Sequence, residues 1–211
     1  MVLLSPSISG LRYLINICER YATQHGYNSG KSELLVFKGK NKSPSCVPPV
    51  TLGGSPLTRV SKFKYLGHVV TEDLKDDCDI ERERRALAIR GNMLARRFAK
   101  CSIPVKITLF KAFCQTLYTG SLWSNFTQRA YDTLRIQYNN AFRVLLGLSR
   151  YCSASGMFSE ARTDDFFALM RKKVASLVHR LWGSTDSILS MFAQRLDGAV
   201  LGRFTELHIR A

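Results

Sequence analysis

The spacing of apolar positions changes part-way along the chain. Up to about residue 71 they come in short runs, and after Glu72 they recur every three or four residues. The opening run, Met1 to Leu4, predicts a buried strand, and residues 33–37 (ELLVF) predict another. Between these runs, apolar residues from Leu11 to Ala22 share one helical face, which Ser7 or Ser9 is placed to cap.

The segment VTLGGSPLTRVSKFKYLGHVV, residues 50–70, predicts two or three short strands. Gly53-Gly54 fits a hairpin turn between the first two. Residues 38–49 are basic and rich in proline and serine, which is typical of a loop.

The rest of the chain has the periodicity of helices, beginning with a long one from about Asp79 to Ala99. Pro104 suits the first turn of the next. The predicted apolar faces are, in chain order, Ile80, Leu87, Leu94 and Phe98; Ile107, Phe110, Cys114, Leu117 and Tyr118; Leu134, Tyr138, Ala141, Leu145 and Leu148; Phe167, Met170, Val174, Leu177 and Leu181; and Ile188, Leu189, Phe192 and Leu196. The sequence therefore predicts an α+β protein, with a hairpin-containing part at residues 1–75 and an all-α bundle at residues 76–211.

The charge balance points to an anionic partner. Lys and Arg number 31 against 16 Asp and Glu, which gives a formal net charge of +15 and a pI near 9.9. Such a surplus favours nucleic acid, with an anionic membrane surface as second choice. The alternative is a basic surface that is merely solvated.

Cysteine usage indicates an intracellular protein, nuclear or cytoplasmic rather than secreted. The six cysteines include no C-x-x-C pair and are expected to be reduced. No apolar run is long enough to predict a membrane span.

Catalytic motifs are nearly absent from the sequence, which has no glycine-rich phosphate loop and no G-x-S-x-G elbow. The acidic pairs Asp76-Asp77 and Asp164-Asp165 each precede a predicted helix, where we expect them to cap it. No carboxylate set suits two-metal chemistry, and no histidines and cysteines have zinc-ligand spacing, so no metal site is predicted.

The strongest local signal is the basic predicted helix. Residues 78–106 hold eight Lys and Arg against three Asp and Glu. Arginine suits phosphate because its planar fork donates two parallel hydrogen bonds, and a row of arginines can follow a nucleic-acid backbone without reading sequence. The alternative is a solvated face of Glu–Arg pairs that contributes little stability.

Several stretches, taken in order, resemble the C-terminal part of a non-LTR (LINE-type) retrotransposon reverse transcriptase. They are MVLL, SGLRYLINICERYA, GYNSGKSELLVF, the hairpin ending in FKYLG, DDCDIERERR, LFKAFCQTLYTGSLW and YNNAFRVLLGLSRY. The resemblance covers essentially the whole chain. It implies the end of a palm with its primer-grip hairpin, followed by a thumb-like helical bundle.

The resemblance also implies that this chain alone is inactive. MVLL resembles the second strand of the catalytic hairpin, so the Y-x-D-D turn that precedes it in the family would lie before Met1. Without those aspartates the chain has no ligands for the Mg²⁺ ions that the parent enzyme uses in nucleotidyl transfer. We therefore expect no polymerase activity and no cofactor in this chain.

Some residues match family positions. Lys31 matches a lysine that protonates the leaving pyrophosphate, with an ordinary loop lysine as the alternative. Lys64, Tyr65 and Gly67 match the primer grip, in which Gly67 would allow close backbone approach and Leu66 would belong to the core. The residues expected to face phosphates lie on the thumb-like helix: Arg82, Arg85, Arg90, Arg96, Arg97 and Lys100, of which Arg85 and Arg96 are favoured.

Three functions remain open from the sequence. The first is a truncated reverse transcriptase that binds RNA, DNA or their hybrid without sequence preference. The second is a helical interaction module that recruits a protein partner through an exposed palm edge. The third is a translated remnant of a mobile element without a function of its own.

Overall fold

The computed structural model describes residues 2–26, 32–39, 46–194 and 198–209, and in them the chain is α+β, as the sequence predicts. The elements in chain order are α1 (Ile8–His25), β1 (Glu33–Leu35), β2 (Thr51–Leu52), β3 (Ser55–Pro56), β4 (Thr58–Val60), β5 (Lys62–Tyr65), β6 (His68–Thr71), α2 (Asp77–Arg97), α3 (Ile103–Cys114), a 3-10 turn (Gly120–Leu122), α4 (Gln128–Leu146), α5 (Ala154–Glu160), α6 (Phe166–Trp182), α7 (Ser187–Gln194) and α8 (Ala199–Ile209).

The chain forms two compact units. The N-terminal unit comprises Met1–Lys64 with Val70–Leu74, and the helical unit comprises Tyr65–Val69 with Lys75–Ala211. Residues 65–69, at the tip of the β5–β6 hairpin, therefore group with the helices rather than with the strands that precede them.

The N-terminal unit begins with α1, whose cap is one of the two predicted serines. Ser7 Oγ accepts a hydrogen bond from the Gly10 amide at 3.1 Å, which satisfies one of the free amides of the first turn. Gly26 ends the helix in the left-handed conformation, with φ of 67°. Ile15 is the buried residue of the apolar face.

The strands form two-stranded sheets. β1 runs parallel to β4, with Glu33 opposite Thr58 and Leu35 opposite Val60. β2 and β3 pair antiparallel around Gly53-Gly54, whose φ angles of 57° and 77° are those of a primed hairpin turn, so the predicted hairpin is confirmed. β5 pairs with β6.

The strand predicted for Met1 to Leu4 is wrong. Residues 2–5 belong to no strand, Leu4 is 75% exposed, and Met1 lies outside the described residues. The run is apolar enough for a strand, but a strand needs a hydrogen-bonded neighbour, and no described strand pairs with these residues. The second predicted strand is shorter than expected, because Phe37 lies beyond β1 and is 43% exposed.

The helical unit is built around α2 and α4. The predicted face of α2 is confirmed, since Ile80, Leu87 and Leu94 are buried in the core. Gly91 sets the distance between the two helices: a Cβ at this position would lie 2.9 Å from Ala141 Cβ on α4.

Three of the predicted faces, those of α3, α4 and α6, are partly wrong. α3 ends at Cys114, and Leu117 turns the chain with φ of 23°, which leaves Tyr118 75% exposed. Leu148 lies beyond the end of α4 and is 37% exposed. The buried face of α6 begins at Phe166, while the predicted Phe167 is 40% exposed.

The C-terminal helices depart furthest from the prediction. Ile188, Leu189 and Phe192 of α7 are exposed rather than buried, and Leu196 lies outside the described residues. α5 is a helix that the periodicity did not predict.

Candidate nucleic-acid interface

The outward face of α2 carries the two arginines that the sequence favours. Arg85 and Arg96 are eleven residues apart, which is three helical turns, so both project from one side about 16 Å apart along the axis. Both are exposed, as are Arg97 and Lys100 around the end of the helix. These four residues, Arg85, Arg96, Arg97 and Lys100, are called the basic face of α2 below.

Arg82 and Arg90 lie elsewhere, because carboxylates of the same helix hold them. Arg82 donates to Asp79 Oδ1 at 2.7 Å and to Glu83 Oε2 at 3.1 Å, while Arg90 donates to the other oxygen of Glu83. Their side chains are 27% and 26% exposed, against 71% for Arg85. The structure thus separates these two arginines from the basic face.

Asp79 is the centre of this buried network. Its side chain is fully buried. Oδ1 accepts hydrogen bonds from the Val69 amide at 2.9 Å and from Arg82, and Oδ2 accepts from Thr119 Oγ1 at 2.6 Å and Trp123 Nε1 at 2.8 Å. The carboxylate thereby joins α2 to the hairpin tip and to the turn that follows α3.

His68 completes the network. Its Nδ1 lies 3.2 Å from Asp79 Oδ2 and its Nε2 lies 3.6 Å from Asp76 Oδ1. The contact with Asp79 raises the pKa of His68 against the opposing effect of burial. Burial alone would raise the pKa of Asp79, but the close contact with His68 and the hydrogen bonds from Arg82, Thr119 and Trp123 outweigh it and hold that pKa well below its usual range.

The acidic residues before α2 do not cap it with their side chains, contrary to the sequence-based expectation. The Asp76 carboxylate accepts hydrogen bonds from the amides of Ser124 and Asn125 at 2.8 and 2.9 Å. Asp77 accepts from the amide and hydroxyl of Thr127. The other pair does include a cap, since Asp165 Oδ1 accepts from the Ala168 amide at the start of α6.

One acidic residue beside the basic face reduces its charge. Glu81 accepts hydrogen bonds from Arg84 and Arg85 at 2.6–2.8 Å, and these bonds lower the pKa of Glu81 to about 2. Glu81 therefore stays ionised and shares the charge of Arg85. Arg96, Arg97 and Lys100 have no acidic partner among the described residues.

The primer-grip-like residues lie around the β5–β6 turn. Lys64 and Tyr65 end β5 and are exposed. Leu66 is 73% exposed, so its predicted place in the core is wrong: it occupies the turn, with φ of 46°. Gly67 is required for its φ of 86° rather than for close backbone approach, since an added Cβ would be 3.6 Å from the Tyr118 ring.

The remaining sequence-based expectations concern Lys31, metals and membranes. Lys31 lies outside the described residues. Within the described ranges, no group of three or more His, Cys, Asp and Glu side chains is placed to hold a metal ion. No described helix is both long and apolar enough to span a bilayer.

The sequence analysis missed the residues that orient α2. Asp79 and Glu83 are one turn apart on the buried side of the helix, and they hold His68, Trp123 and the two inward arginines. The available signal was their spacing, because Asp79 and Glu83 fall in phase with the apolar residues Ile80 and Leu87.

Comparison of the chain with models of protein families, with curated proteins and with solved structures finds no match. A function for this chain must therefore be proposed from its own residues and their geometry.

Proposed function

We propose that the chain is the C-terminal part of a non-LTR retrotransposon reverse transcriptase and binds nucleic acid without sequence preference. The observation that carries the binding proposal is the basic face of α2, exposed on a chain of net charge +15. The ordered motifs of the sequence support the family. Polymerase activity is not proposed for this chain alone, because the expected Y-x-D-D motif is not part of the sequence.

The basic face suits a polyphosphate backbone better than a single anion. Arg85 and Arg96 stand about 16 Å apart along the helix, which exceeds the reach of one phosphate. Double-stranded DNA carries one charge per about 1.7 Å of its axis, so a duplex offers phosphates to both residues. Arg85, Arg96, Arg97 and Lys100 suit phosphate contacts, which carry no sequence information, and RNA, DNA and their hybrid are therefore all suitable partners.

Salt dependence gives the test. Three or four phosphate contacts predict affinity about 40- to 150-fold weaker at 200 mM than at 50 mM salt, because each contact releases counterions. Fluorescence anisotropy with labelled duplex DNA, RNA–DNA hybrid and single-stranded RNA measures this slope. Affinity that does not change with salt would contradict the proposal.

A charge-matched pair of variants separates a defined interface from diffuse attraction. The interface variant replaces Arg96, Arg97 and Lys100 by alanine. The control replaces three exposed arginines on other parts of the helical unit, Arg129, Arg150 and Arg180, and so removes the same charge. The salt slope is the slope of the logarithm of the binding constant against the logarithm of the salt concentration. We expect its magnitude to fall by about 2 to 3 in the interface variant and by less than 1 in the control. Equal losses would favour the merely solvated basic surface.

The proposed inactivity has its own test. A primer-extension assay with Mg²⁺ and nucleoside triphosphates is expected to show no synthesis by the purified chain. Synthesis that depends on Mg²⁺ would overturn this part of the proposal and leave the binding proposal intact.

A protein-interaction module is the second candidate, and α7 favours it. Ile188, Met191 and Phe192 are 60%, 53% and 56% exposed on this short helix, an unusual concentration of large apolar side chains. Size-exclusion chromatography with light scattering distinguishes the two candidates, because a discrete oligomer that binds no nucleic acid is expected only for the interaction module.

A further inference from the structure

A second feature of the helical unit is a polar cavity between α4 and the first residues of α5 and α6. Its volume is about 330 Å³, within the range of small-molecule sites. The side chains that matter here are Arg135, Asn139, Ser153, Ser155, Asp165 and Phe167. None of them belongs to the basic face of α2.

Asn139 supplies a hydrogen-bond donor and an acceptor in this cavity. It lies on α4 and is 8% exposed, and it makes no side-chain hydrogen bond with any described residue. Its carboxamide atoms are not among the buried, unpartnered polar atoms of the described residues, so they are accessible from the cavity. The cavity therefore holds an NH₂ group and a carbonyl oxygen that a ligand can pair with at once.

Phe167 and Arg135 form a cation–π pair in the same lining. Phe167 is 40% exposed, and the Arg135 guanidinium carbon lies 5.6 Å from the centre of its ring. Arg135 is held in place by Asp132 Oδ1, which accepts from its Nε at 3.2 Å. Aromatic rings and guanidinium planes are the groups on which proteins stack unpaired bases.

The remaining polar groups argue against a simple anion. Asp165 places a carboxylate in the lining, and this carboxylate would repel phosphate or sulfate. Ser153 and Ser155 have hydroxyl oxygens 3.0 Å apart, and hydroxyls suit neutral donors and acceptors as well as anions. A neutral, planar ligand with donors and acceptors along one edge satisfies the whole lining.

We propose that this cavity binds one unpaired nucleobase, stacked on Phe167 and Arg135 and hydrogen-bonded along its edge by the Asn139 amide. Asparagine pairs in this way with adenine, because its NH₂ and carbonyl match a ring nitrogen and the exocyclic amine. The inference rests on the proposed function only for the source of the base, an unpaired nucleotide of a bound strand. A free nucleotide offers the same chemistry.

The free-nucleotide arm tests the cavity alone. The probe is 2-aminopurine riboside, a fluorescent adenosine analogue, titrated with the intact chain. We expect its emission to be quenched on binding, and Phe167→Ala to weaken binding about 5- to 150-fold, the range for loss of one base–aromatic stack. Tyr151→Ala is the matched control, because Tyr151 is an exposed ring, 83% accessible, that pairs with Arg150 outside the cavity.

The strand arm identifies the source of the base. Oligonucleotides carry 2-aminopurine either unpaired or within a duplex. We expect quenching only for the unpaired position, lost in Phe167→Ala and in Asn139→Leu. If Asn139→Leu unfolds the chain, because Asn139 is buried, the result for Phe167→Ala still tests the proposal.

The two proposals fail separately. If nucleic-acid strands do not bind at all, the proposed function fails. Quenching of the free riboside then still shows whether the cavity binds a base. If strands bind with the expected salt slope but neither probe is quenched, or if Tyr151→Ala acts like Phe167→Ala, the base pocket is overturned.

Discussion

The two compact units bury apolar surface very differently. In the described part of the N-terminal unit, the buried apolar side chains are Ile15 and Val50, and a mainly apolar cavity of about 520 Å³ lies among its elements. The helical unit has a continuous core that includes Phe110 and Phe142 with ring centres 4.8 Å apart. Isolated two-stranded sheets are marginal in water, so stability is expected to reside in the helices.

The largest effect is expected from the carboxylate at the centre of the helical unit. Asp79→Asn leaves Arg82 and His68 without their buried counter-charge, and it should lower the free energy of unfolding by about 3–5 kcal/mol. Denaturant unfolding measures this loss. Glu81→Gln is the control on the same helix, where the exposed ion pairs contribute about 0–1 kcal/mol. Equal losses of unfolding free energy in the two variants would mean that burial does not determine how much each ion pair contributes to stability.

Hydrogen exchange compares the two units directly. Backbone amides of α4 around Tyr138 and Phe142 should exchange at least about 100-fold more slowly than those of β1, because they open only when the core unfolds. Mass spectrometry or NMR of the intact chain measures both in one experiment. Similar protection in β1 would show that the N-terminal unit is as stable as the helices.

Two helical glycines should respond to alanine with opposite signs. Gly91→Ala places a methyl group against Ala141 and should destabilise the chain by about 1–3 kcal/mol through overpacking. Gly202 in α8 has no atom near the added Cβ, so Gly202→Ala should stabilise it by about 0.5–1 kcal/mol through helix propensity alone. Thermal unfolding measures both. A gain at Gly91 would contradict the close approach of α2 to α4.

The smallest effect is a pH dependence from His68. Its pKa is raised in the folded chain, so its stabilisation is complete below about pH 6.5 and is lost as the pH rises through the raised value. The groups that face it are Asp79, Asp76 and Arg82. Relative to His68→Gln, the native chain should therefore lose stability as the pH rises above about 6.5 and passes through the raised pKa. If the difference in stability between the native chain and His68→Gln does not change with pH, His68 and Asp79 do not form a charged pair.

Local features of the fold could be predicted from the sequence. The cap at Ser7, the turn at Gly53-Gly54 and the buried side of α2 each depend on residues close together in the chain. The conformation of the run Met1–Leu4 could not be predicted in this way, because an apolar segment forms a strand only beside a hydrogen-bonded partner strand. The exposure of Tyr118 likewise depends on where α3 stops and the chain turns at Leu117.

The interface could be predicted only in part. The spacing of Arg85 and Arg96 places them on one side of a helix, but their charges do not show which side faces outward. In the sequence, Arg82 and Arg90 are equivalent to Arg85 and Arg96. Only the positions of Asp79 and Glu83 in space distinguish the two paired arginines from the two exposed ones. The cavity at Asn139 is formed by residues of three helices, and no pattern of residues close together in the sequence predicts it.

The carboxylates at the start of α2 also have a consequence for synthesis of the chain. Asp76 and Asp77 find their donors in residues 48 to 50 positions later, and Asp79 finds Trp123 44 positions later. At about 5–20 residues per second, a ribosome needs roughly 2–10 s to deliver those partners. Until then these carboxylates have been synthesised but lack their donors. A ribosomal pause before Thr127 would therefore prolong exposure of the nascent chain to chaperones and proteases.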